Sequence, residues 1–173
     1  MALTQAVVLH DIDTLDAYRF WAVGSVSGRG MDVFWQVLPF IVVGLLLAAL
    51  SASTLNLLQL GDDVAASLGL SPMRHKAIGI LGVMLLTGAA TAACGPVGFV
   101  GLVVPHVARF LAGVDYRWVI PYSAFIGGLL VLLADIVGRV VVRPAELQVG
   151  IVMALIGGPV FILLVRRNRM VRI

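Results

Sequence analysis

The sequence predicts an all-α integral membrane protein with about five transmembrane helices, and three observations support that prediction. Hydrophobic residues make up 61% of the 173 residues and charged residues only 12%, whereas soluble domains average roughly 45–50% and about 25%. The mean hydropathy is +1.07. Basic residues lie at the ends of long apolar runs, which is typical of membrane orientation signals and not of a nucleic-acid-binding surface.

Five apolar runs are predicted to be the membrane spans. In chain order they cover residues 33–53, 77–94, 97–112, 118–137 and 149–165. The second is free of charge, and the fourth carries one acidic residue, Asp135, near its end. Pro39, Pro105 and the Gly157-Gly158-Pro159 stretch interrupt the first, third and fifth. Pro105 frees a backbone carbonyl that lipid cannot satisfy, so the third span is expected to face other helices or a water-filled cavity there.

The distribution of lysine and arginine predicts a cytoplasmic C-terminus. In that orientation eight basic residues lie inside, namely Arg74, Lys76, Arg109, Arg117, Arg166, Arg167, Arg169 and Arg172. Four lie outside, namely Arg19, Arg29, Arg139 and Arg143. An excess of basic residues on the cytoplasmic side is the usual pattern in membrane proteins.

Five spans with a cytoplasmic C-terminus place residues 1–32 outside the cytoplasm. Residues 1–16 are acidic and lack the basic start and apolar core of a signal peptide. Two explanations stay open: further spans precede these five in a longer protein, or a five-span protein exports its N-terminal tail unaided. Residues 21–30 place an aromatic before glycines and serines, which favours an interfacial helix that ends in a turn.

Cysteine and lysine usage excludes several kinds of site. The single cysteine, Cys94, excludes a disulfide framework and a multi-cysteine metal site. The single lysine, Lys76, does not follow the glycine spacing of a phosphate-binding loop. We therefore expect no metal, no cofactor and no ATP hydrolysis of the usual P-loop kind in this chain.

The loop of residues 56–76 is longer than a simple connector requires. Gly61 followed by Asp62 and Asp63 indicates a helix start, because acidic side chains complement the positive end of the helix dipole. Gly69 is typical of a helix end. The short helix would carry three apolar residues on one face, Val64, Ala65 and Leu68. This face is small and lacks aromatics, so it fits a groove on a protein better than a lipid surface.

The junction between the second and third spans contains residues that interrupt a helix or allow close helix packing. Its six candidate residues are Gly95, Pro96, Gly98, Gly101, Pro105 and His106. The glycines favour close packing against protein. Residues 98–101 are weakly similar to a potassium-filter loop, although they run directly into a predicted helix. For His106 two alternatives remain, a proton relay or ligand, and a side chain bonded to backbone that Pro105 frees.

Asp135 and Arg139 are four residues apart and are predicted to pair on one helix face. An acid inside a span is a functional candidate. A structural pair, in which Arg139 neutralises the carboxylate and extends to the interface, is the alternative. Arg139 would then stand at the outer rim with Arg143 and Glu146.

Four segments together resemble the FecCD-type permeases of ATP-binding cassette importers, which carry ferric siderophores, haem or cobalamin across the inner membrane. The segments are residues 55–70 (LNLLQLGDDVAASLGL), 95–106 (GPVGFVGLVVPH), 133–139 (LADIVGR) and 146–159 (ELQVGIVMALIGGP). Their order and spacing agree with the family, and the resemblance extends over nearly the whole chain from Trp21 onward.

The resemblance implies ten spans per subunit with both ends in the cytoplasm, of which this chain would supply the last five. It implies three kinds of partner besides membrane lipid: cytoplasmic ATP-binding cassette subunits, a second permease subunit and an extracytoplasmic substrate-binding protein. ATP hydrolysis would belong to a separate subunit, so no catalytic residue is expected here. The location would be the bacterial cytoplasmic membrane, and nucleic acid is not an expected partner.

The resemblance also implies residue roles. The ATPase subunit would meet Leu60, Gly61, Ala65, Leu68 and Gly69. Arg139 matches an outer-face arginine that receives a glutamate of the binding protein. Helix packing and the pathway would involve the six junction residues together with Gly157, Gly158 and Pro159. Residues 20–29 favour ferric siderophores, although specificity rests largely with the binding protein.

Three other interpretations were weighed. A secondary transporter or channel fragment needs an ion or proton site in the membrane, for which Asp135 and His106 are the candidates. An intramembrane enzyme is disfavoured, because the spans contain no paired acids, metal-ligand cluster or nucleophile with a base. A permease remnant that never assembles is the third.

Overall fold

The computed structural model describes residues 12–142 and 146–169, and all regular structure in those ranges is helical. In chain order the helices are α1 Ile12–Val23, α2 Met31–Leu58, α3 Asp62–Ser67, α4 Pro72–Cys94, α5 Val100–Ala112, α6 Tyr116–Val141 and α7 Val149–Arg169. Two of the basic residues that define the predicted orientation, Arg143 and Arg172, lie outside the described residues.

Three of these helices, α2, α4 and α6, are long and apolar enough to cross a membrane. At 1.5 Å per residue the 28 residues of α2 extend about 42 Å, against roughly 30 Å for a hydrocarbon core. The 13 residues of α5 extend only about 20 Å, whereas the 21 residues of α7 extend about 32 Å. The five predicted spans therefore correspond to four helices of 21 residues or more and to the shorter α5.

The third apolar run becomes helical at Val100 and not at residue 97, where the predicted span begins. Gly95 has φ +76° and Phe99 has φ +66°, and a right-handed helix cannot continue through either value. The residues between α4 and α5 therefore form a backbone break, and the helix that follows is shorter than the apolar run.

The long helices approach each other closely at glycines. A Cβ atom on Gly44 of α2 would lie 2.7 Å from Leu86 Cγ, and one on Gly82 of α4 would lie 3.2 Å from Leu47 Cβ. Small residues at such positions let two membrane helices pack backbone against backbone. The third long helix, α6, packs against α2, α5 and α7.

The helices alternate in direction, so the bundle has two different ends. One end carries α3 and the α5–α6 turn and is called the α3 end below. The opposite end carries residues 24–30, 95–99 and 146–148 and is called the Arg139 end.

The most buried side chains lie toward the Arg139 end. Ala134 of α6 and Val149, Val152 and Met153 of α7 form one contiguous cluster. In contrast, between 6% and 11% of the residues in the apolar windows of α2, α4 and α6 are buried. These helices present most of their apolar surface outward, as expected of helices that meet lipid or other membrane helices.

Candidate functional site

The connection between α2 and α4 is a short helix with a glycine at each end. Gly61 precedes α3 with φ +107°, and Gly69 follows it with φ +82°, and side chains with a Cβ atom rarely adopt such values. The Gly69 N–H donates to the Ala66 carbonyl (3.0 Å) and the Leu70 N–H donates to the Ala65 carbonyl (3.2 Å). This is the Schellman pattern of helix termination, and it fixes where α3 stops.

Four of the five residues assigned to ATPase contact form an open surface, called the α3 surface below. The Leu60 and Leu68 side chains are 63% and 61% exposed, and a Cβ atom on Gly61 or Gly69 would have no neighbour within 4 Å. Ala65 is the exception, because it is 0% exposed within this chain. The expectation that Ala65 contacts the ATPase subunit is therefore wrong for this chain. Ala65 instead packs inward, because α3 rests on α2 and α4 and only a small residue fits there.

One ion pair ties α3 to the start of α4. Lys76 Nζ lies 2.6 Å from Asp62 Oδ2, with side chains 46% and 56% exposed. Exposed pairs of this kind contribute about 0.2–1 kcal/mol. The pair therefore mainly orients α3 relative to the start of α4 and adds little to the stability of the fold.

A second set of contacts at the α3 end links α2 to the α5–α6 turn, and the sequence did not point to it. Asn56 Nδ2 donates to Asp115 Oδ1 (2.6 Å), and the Tyr116 N–H donates to Asn56 Oδ1 (2.9 Å). Asp115 also accepts from the Arg117 N–H (2.9 Å) as the N-cap of α6. The Arg117 N–H, and after it the Asn56 amide, hold the pKa of Asp115 below its usual value. An aspartate just before an apolar run was the available signal.

At the Arg139 end, three groups surround the guanidinium of Arg139. Arg139 Nε donates to Asp135 Oδ2 (2.8 Å), and Nη2 donates to Ser27 Oγ (3.2 Å). Nη1 lies 3.7 Å from Glu146 Oε1. The predicted pair of Asp135 and Arg139 is present, with Asp135 17% and Arg139 46% exposed. The arginine is thus fixed in direction but open to solvent.

Residues 21–25 are held against the end of α4. Trp21 Nε1 donates to the Thr91 carbonyl (3.0 Å), and the Ser25 N–H donates to the Cys94 carbonyl (2.8 Å). A Cβ atom on Gly95 would overlap the Trp21 carbonyl oxygen. Gly95 is therefore required both by its positive φ and by this close approach.

The same segment is held against the start of α7. The Gly150 N–H donates to the Gly24 carbonyl (3.0 Å), and a Cβ atom on Gly150 would overlap the Val23 carbonyl oxygen. Further along α7, a Cβ atom on Gly157 would overlap the Phe99 side chain. The residues after α1 and the residue before α5 are thus both positioned by glycines of α7.

The other residues predicted for packing or the pathway are less enclosed. A Cβ atom on Gly98, Gly101 or Gly158 would meet nothing within 4 Å in this chain. Pro96 and Pro159 are exposed. Residues 98–101 do not form the extended loop of a potassium filter, because the helix begins at Val100.

Pro105 and His106 lie on different sides of α5. Pro105 lines a cavity shared by α2, α4, α5 and α6, whereas His106 is exposed. The hydrogen bonds found in the described part of the chain do not include the His106 ring, so the bond to backbone freed by Pro105 is not formed here. Among residues 12–142 and 146–169, no three His, Cys, Asp or Glu side chains are grouped as metal ligands.

Comparison with known proteins identifies the family. The sequence profile of the FecCD transport family matches residues 1–167 of this chain. The chain belongs to the FecCD transport family. The prediction of a helical, multi-pass protein of the bacterial cytoplasmic membrane is confirmed by this membership together with the long apolar helices.

Several permease proteins are similar to this FecCD chain. The probable siderophore transport system permease YfiZ of Bacillus subtilis is 40% identical over 167 residues, which is 96% of this chain and 50% of the relative. The ferric enterobactin permease FepD of Escherichia coli is 44% identical over 166 residues, 96% of this chain and 49% of the relative. The hemin permease HmuU of Yersinia pestis is 39% identical over 161 residues, which is 93% of this chain and 48% of the relative.

A solved structure gives the same fold. A chain of an ABC transporter assigned to the metal-chelate type, in an inward-facing conformation, matches with a TM-score of 0.71 and 33% identity over 90% of this chain and 50% of that chain. The FecCD chain spans about half the length of the curated relatives it matches. These relatives are named as transport proteins and not as enzymes, in agreement with the prediction.

Proposed function

We propose that this chain forms part of the transmembrane permease of an ATP-binding cassette importer and that the cargo is a ferric siderophore or a similar iron chelate. The relatives named for siderophores, enterobactin, citrate and hydroxamate support this cargo class. The observation that carries the proposal is the α3 surface. It exposes two leucines, Leu60 and Leu68, that flank a short helix whose start, end and direction are fixed by glycines and an ion pair.

The α3 end is assigned to the cytoplasm, and residues 1–32 and the Arg139 end to the opposite side. The excess of basic residues around the α3 end supports this orientation. Residues 56–76 then form the cytoplasmic coupling loop, and Leu60, Gly61, Leu68 and Gly69 meet the ATP-binding cassette subunit. ATP is hydrolysed in that subunit, and the α3 surface receives the resulting movement.

On the opposite side, Arg139 receives an acidic residue of the substrate-binding protein. Its direction is set by Asp135 and Ser27, while Nη1 and its weakly held neighbour Glu146 remain at the open rim. A second permease subunit completes the pathway, to which the segment from Gly157 to Pro159 contributes. These assignments depend on the family role and on the exposure of the residues concerned.

The secondary-transporter alternative gains no support from the described residues. Asp135 is paired with Arg139 at 2.8 Å, so a structural partner already occupies this carboxylate. The other candidate, His106, is exposed and lies apart from that pair.

Co-purification with the ATP-binding cassette subunit tests the proposal. Leu68→Asp places a charge in the centre of the α3 surface and should abolish co-purification, because a buried unpaired charge opposes docking. Val114→Asp is the matched control: Val114 is 77% exposed at the same end of the bundle but lies in the α5–α6 turn. Equal co-purification of Leu68→Asp and the unmodified chain would contradict the proposal.

A further inference from the structure

Two apolar cavities flank the beginning of α6 at the α3 end. The first, of about 440 Å³, lies among α2, α4, α5 and α6, with Val83 in its wall. The second, of about 570 Å³, lies beside α2 and α6, with Phe125 in its wall. Leu45, Ile120 and Ala124 line both, so the two cavities adjoin across a shared wall.

Each cavity has one arginine in its lining, Arg109 in the first and Arg117 in the second. Arg109 Nη2 donates to Tyr116 Oη (3.0 Å), and its guanidinium carbon lies 5.7 Å from the centroid of the Tyr116 ring. Arg117 Nε donates to Ser53 Oγ (3.1 Å). A guanidinium has five N–H donors, so these neutral partners orient both groups and leave most donors free.

In the described part of the chain neither arginine forms a salt bridge, although Arg117 lies close enough to the Asp115 carboxylate for the two charges to interact. The ion pairs in the described part of the chain involve Arg19, Lys76 and Arg139. Asp115 lies in the turn between the two arginines, but its carboxylate already accepts from Asn56 and from the Arg117 N–H. Most guanidinium donors of both arginines are therefore available to an anion from outside the chain, although the Asp115 carboxylate partly offsets the charge of Arg117.

We propose that the two cavities bind one anionic phospholipid, with its phosphate at Arg109 and Arg117 on either side of the α5–α6 turn and its acyl chains in the two cavities. The apolar walls offer water few partners and match hydrocarbon. Basic pockets at the ends of membrane helices select anionic head groups. The site goes beyond the proposed transport function and does not depend on it.

Native mass spectrometry of the full chain tests the site. The chain is extracted from bilayers that contain equal amounts of phosphatidylglycerol and phosphatidylcholine with identical acyl chains. The unmodified chain should retain phosphatidylglycerol preferentially. Arg109→Gln and Arg117→Gln should each lower that retention about fivefold, as expected from about 1 kcal/mol per basic residue near the membrane surface.

Matched variants separate the charge, the cavity and the fold. Arg74→Gln removes an exposed arginine at the same end that lines neither cavity and should leave retention unchanged. The Arg109→Lys, Arg117→Lys double variant should keep most of the retention. Ala124→Phe fills the shared wall and should lower retention although both guanidinium groups remain. Unchanged elution volume and thermal unfolding verify that each variant is folded.

Four results would overturn the proposal. They are equal retention of both lipids by the unmodified chain, retention that survives both Arg→Gln changes, retention that survives Ala124→Phe, and displacement of the lipid by inorganic phosphate. Retention that survives Ala124→Phe would mean that the lipid touches the arginines through its head group but does not occupy the cavities. Displacement by inorganic phosphate would mean that the arginines bind a free anion. Loss of co-purification with a second permease subunit in Ala124→Phe, with no lipid retained by the unmodified chain, would assign the cavities to a helix of that subunit.

Discussion

At the residue scale, glycines at the Arg139 end lie directly against carbonyl oxygens of other segments. Gly95 faces the Trp21 oxygen, Gly150 faces the Val23 oxygen and Gly138 faces the Leu147 oxygen, and in each case a methyl group would overlap that oxygen. The backbone at the Arg139 end is thus packed against itself with no room for side chains. This packing holds residues 21–25 to both α4 and α7, beside the rim where Arg139 is open.

Substitution of Gly95 by alanine tests this packing. The variant has to accept a positive φ and to displace the Trp21 carbonyl, so its free energy of unfolding should fall by about 1–3 kcal/mol or more. Gly98→Ala is the control, because Gly98 lies three residues away with open space around it and should cost less than about 1 kcal/mol. Thermal unfolding in detergent measures both, and equal effects would contradict the close packing at Gly95.

At the element scale, the α3 end is held together by contacts between helices far apart in the chain. Asn56 near the end of α2 binds both Asp115 and Tyr116 at the start of α6. The Arg117 N–H and, after it, the Asn56 amide lower the pKa of Asp115. A carboxyl whose pKa is lower in the folded state stabilises the fold above its unfolded pKa and loses that contribution as the pH falls through the folded value.

Asn56→Ala should therefore change the acid stability of the protein. Loss of the amide donor raises the folded pKa of Asp115 toward its unfolded value, so the variant should be less stable than the unmodified chain at neutral pH and should lose less stability as the pH falls. Thermal unfolding measured between about pH 5 and about pH 2 detects the difference. Asp115→Asn removes the titrating group and should show no such step, whereas identical profiles for Asn56→Ala and the unmodified chain would contradict the link.

The sequence predicts local features of these elements better than distant ones. The spacing of Asp135 and Arg139 predicts their pair, and Gly61 and Gly69 predict the limits of α3, because each signal lies within a few residues. The inward position of Ala65 is not predictable, since a six-residue helix is too short for its periodicity to define a buried face.

Features that depend on tertiary packing were missed. Phe99 adopts a left-handed backbone conformation that is rare outside glycine and asparagine, and its place against Gly157 arises only when α5 and α7 pack. The bond from Asn56 to Asp115 joins residues 59 apart, which no local pattern indicates. The start of α5 was therefore predicted too early, and the contacts at the α5–α6 turn were not predicted.

At the scale of the whole molecule, the proposed transport function requires that the two ends of the bundle face opposite sides of the membrane. Met31 and Met73 provide a matched pair, being 67% and 82% exposed at the Arg139 end and the α3 end. In a Cys94→Ser background, an impermeant thiol reagent applied to spheroplasts should label Met31→Cys and leave Met73→Cys unlabelled. Inverted vesicles should give the opposite pattern, and labelling of Met73→Cys in intact spheroplasts would contradict the orientation.

The central claim is that the α3 surface meets an ATP-binding cassette subunit, and site-specific photo-crosslinking tests it most directly. A photoreactive amino acid is placed at Leu68 or, as the control, at Val114, in membranes that contain the complete importer. We expect a cross-link to the ATP-binding cassette subunit from position 68 and none from position 114. Absence of that cross-link from position 68, or equal cross-linking from both positions, would mean that the α3 surface is not the contact with that subunit.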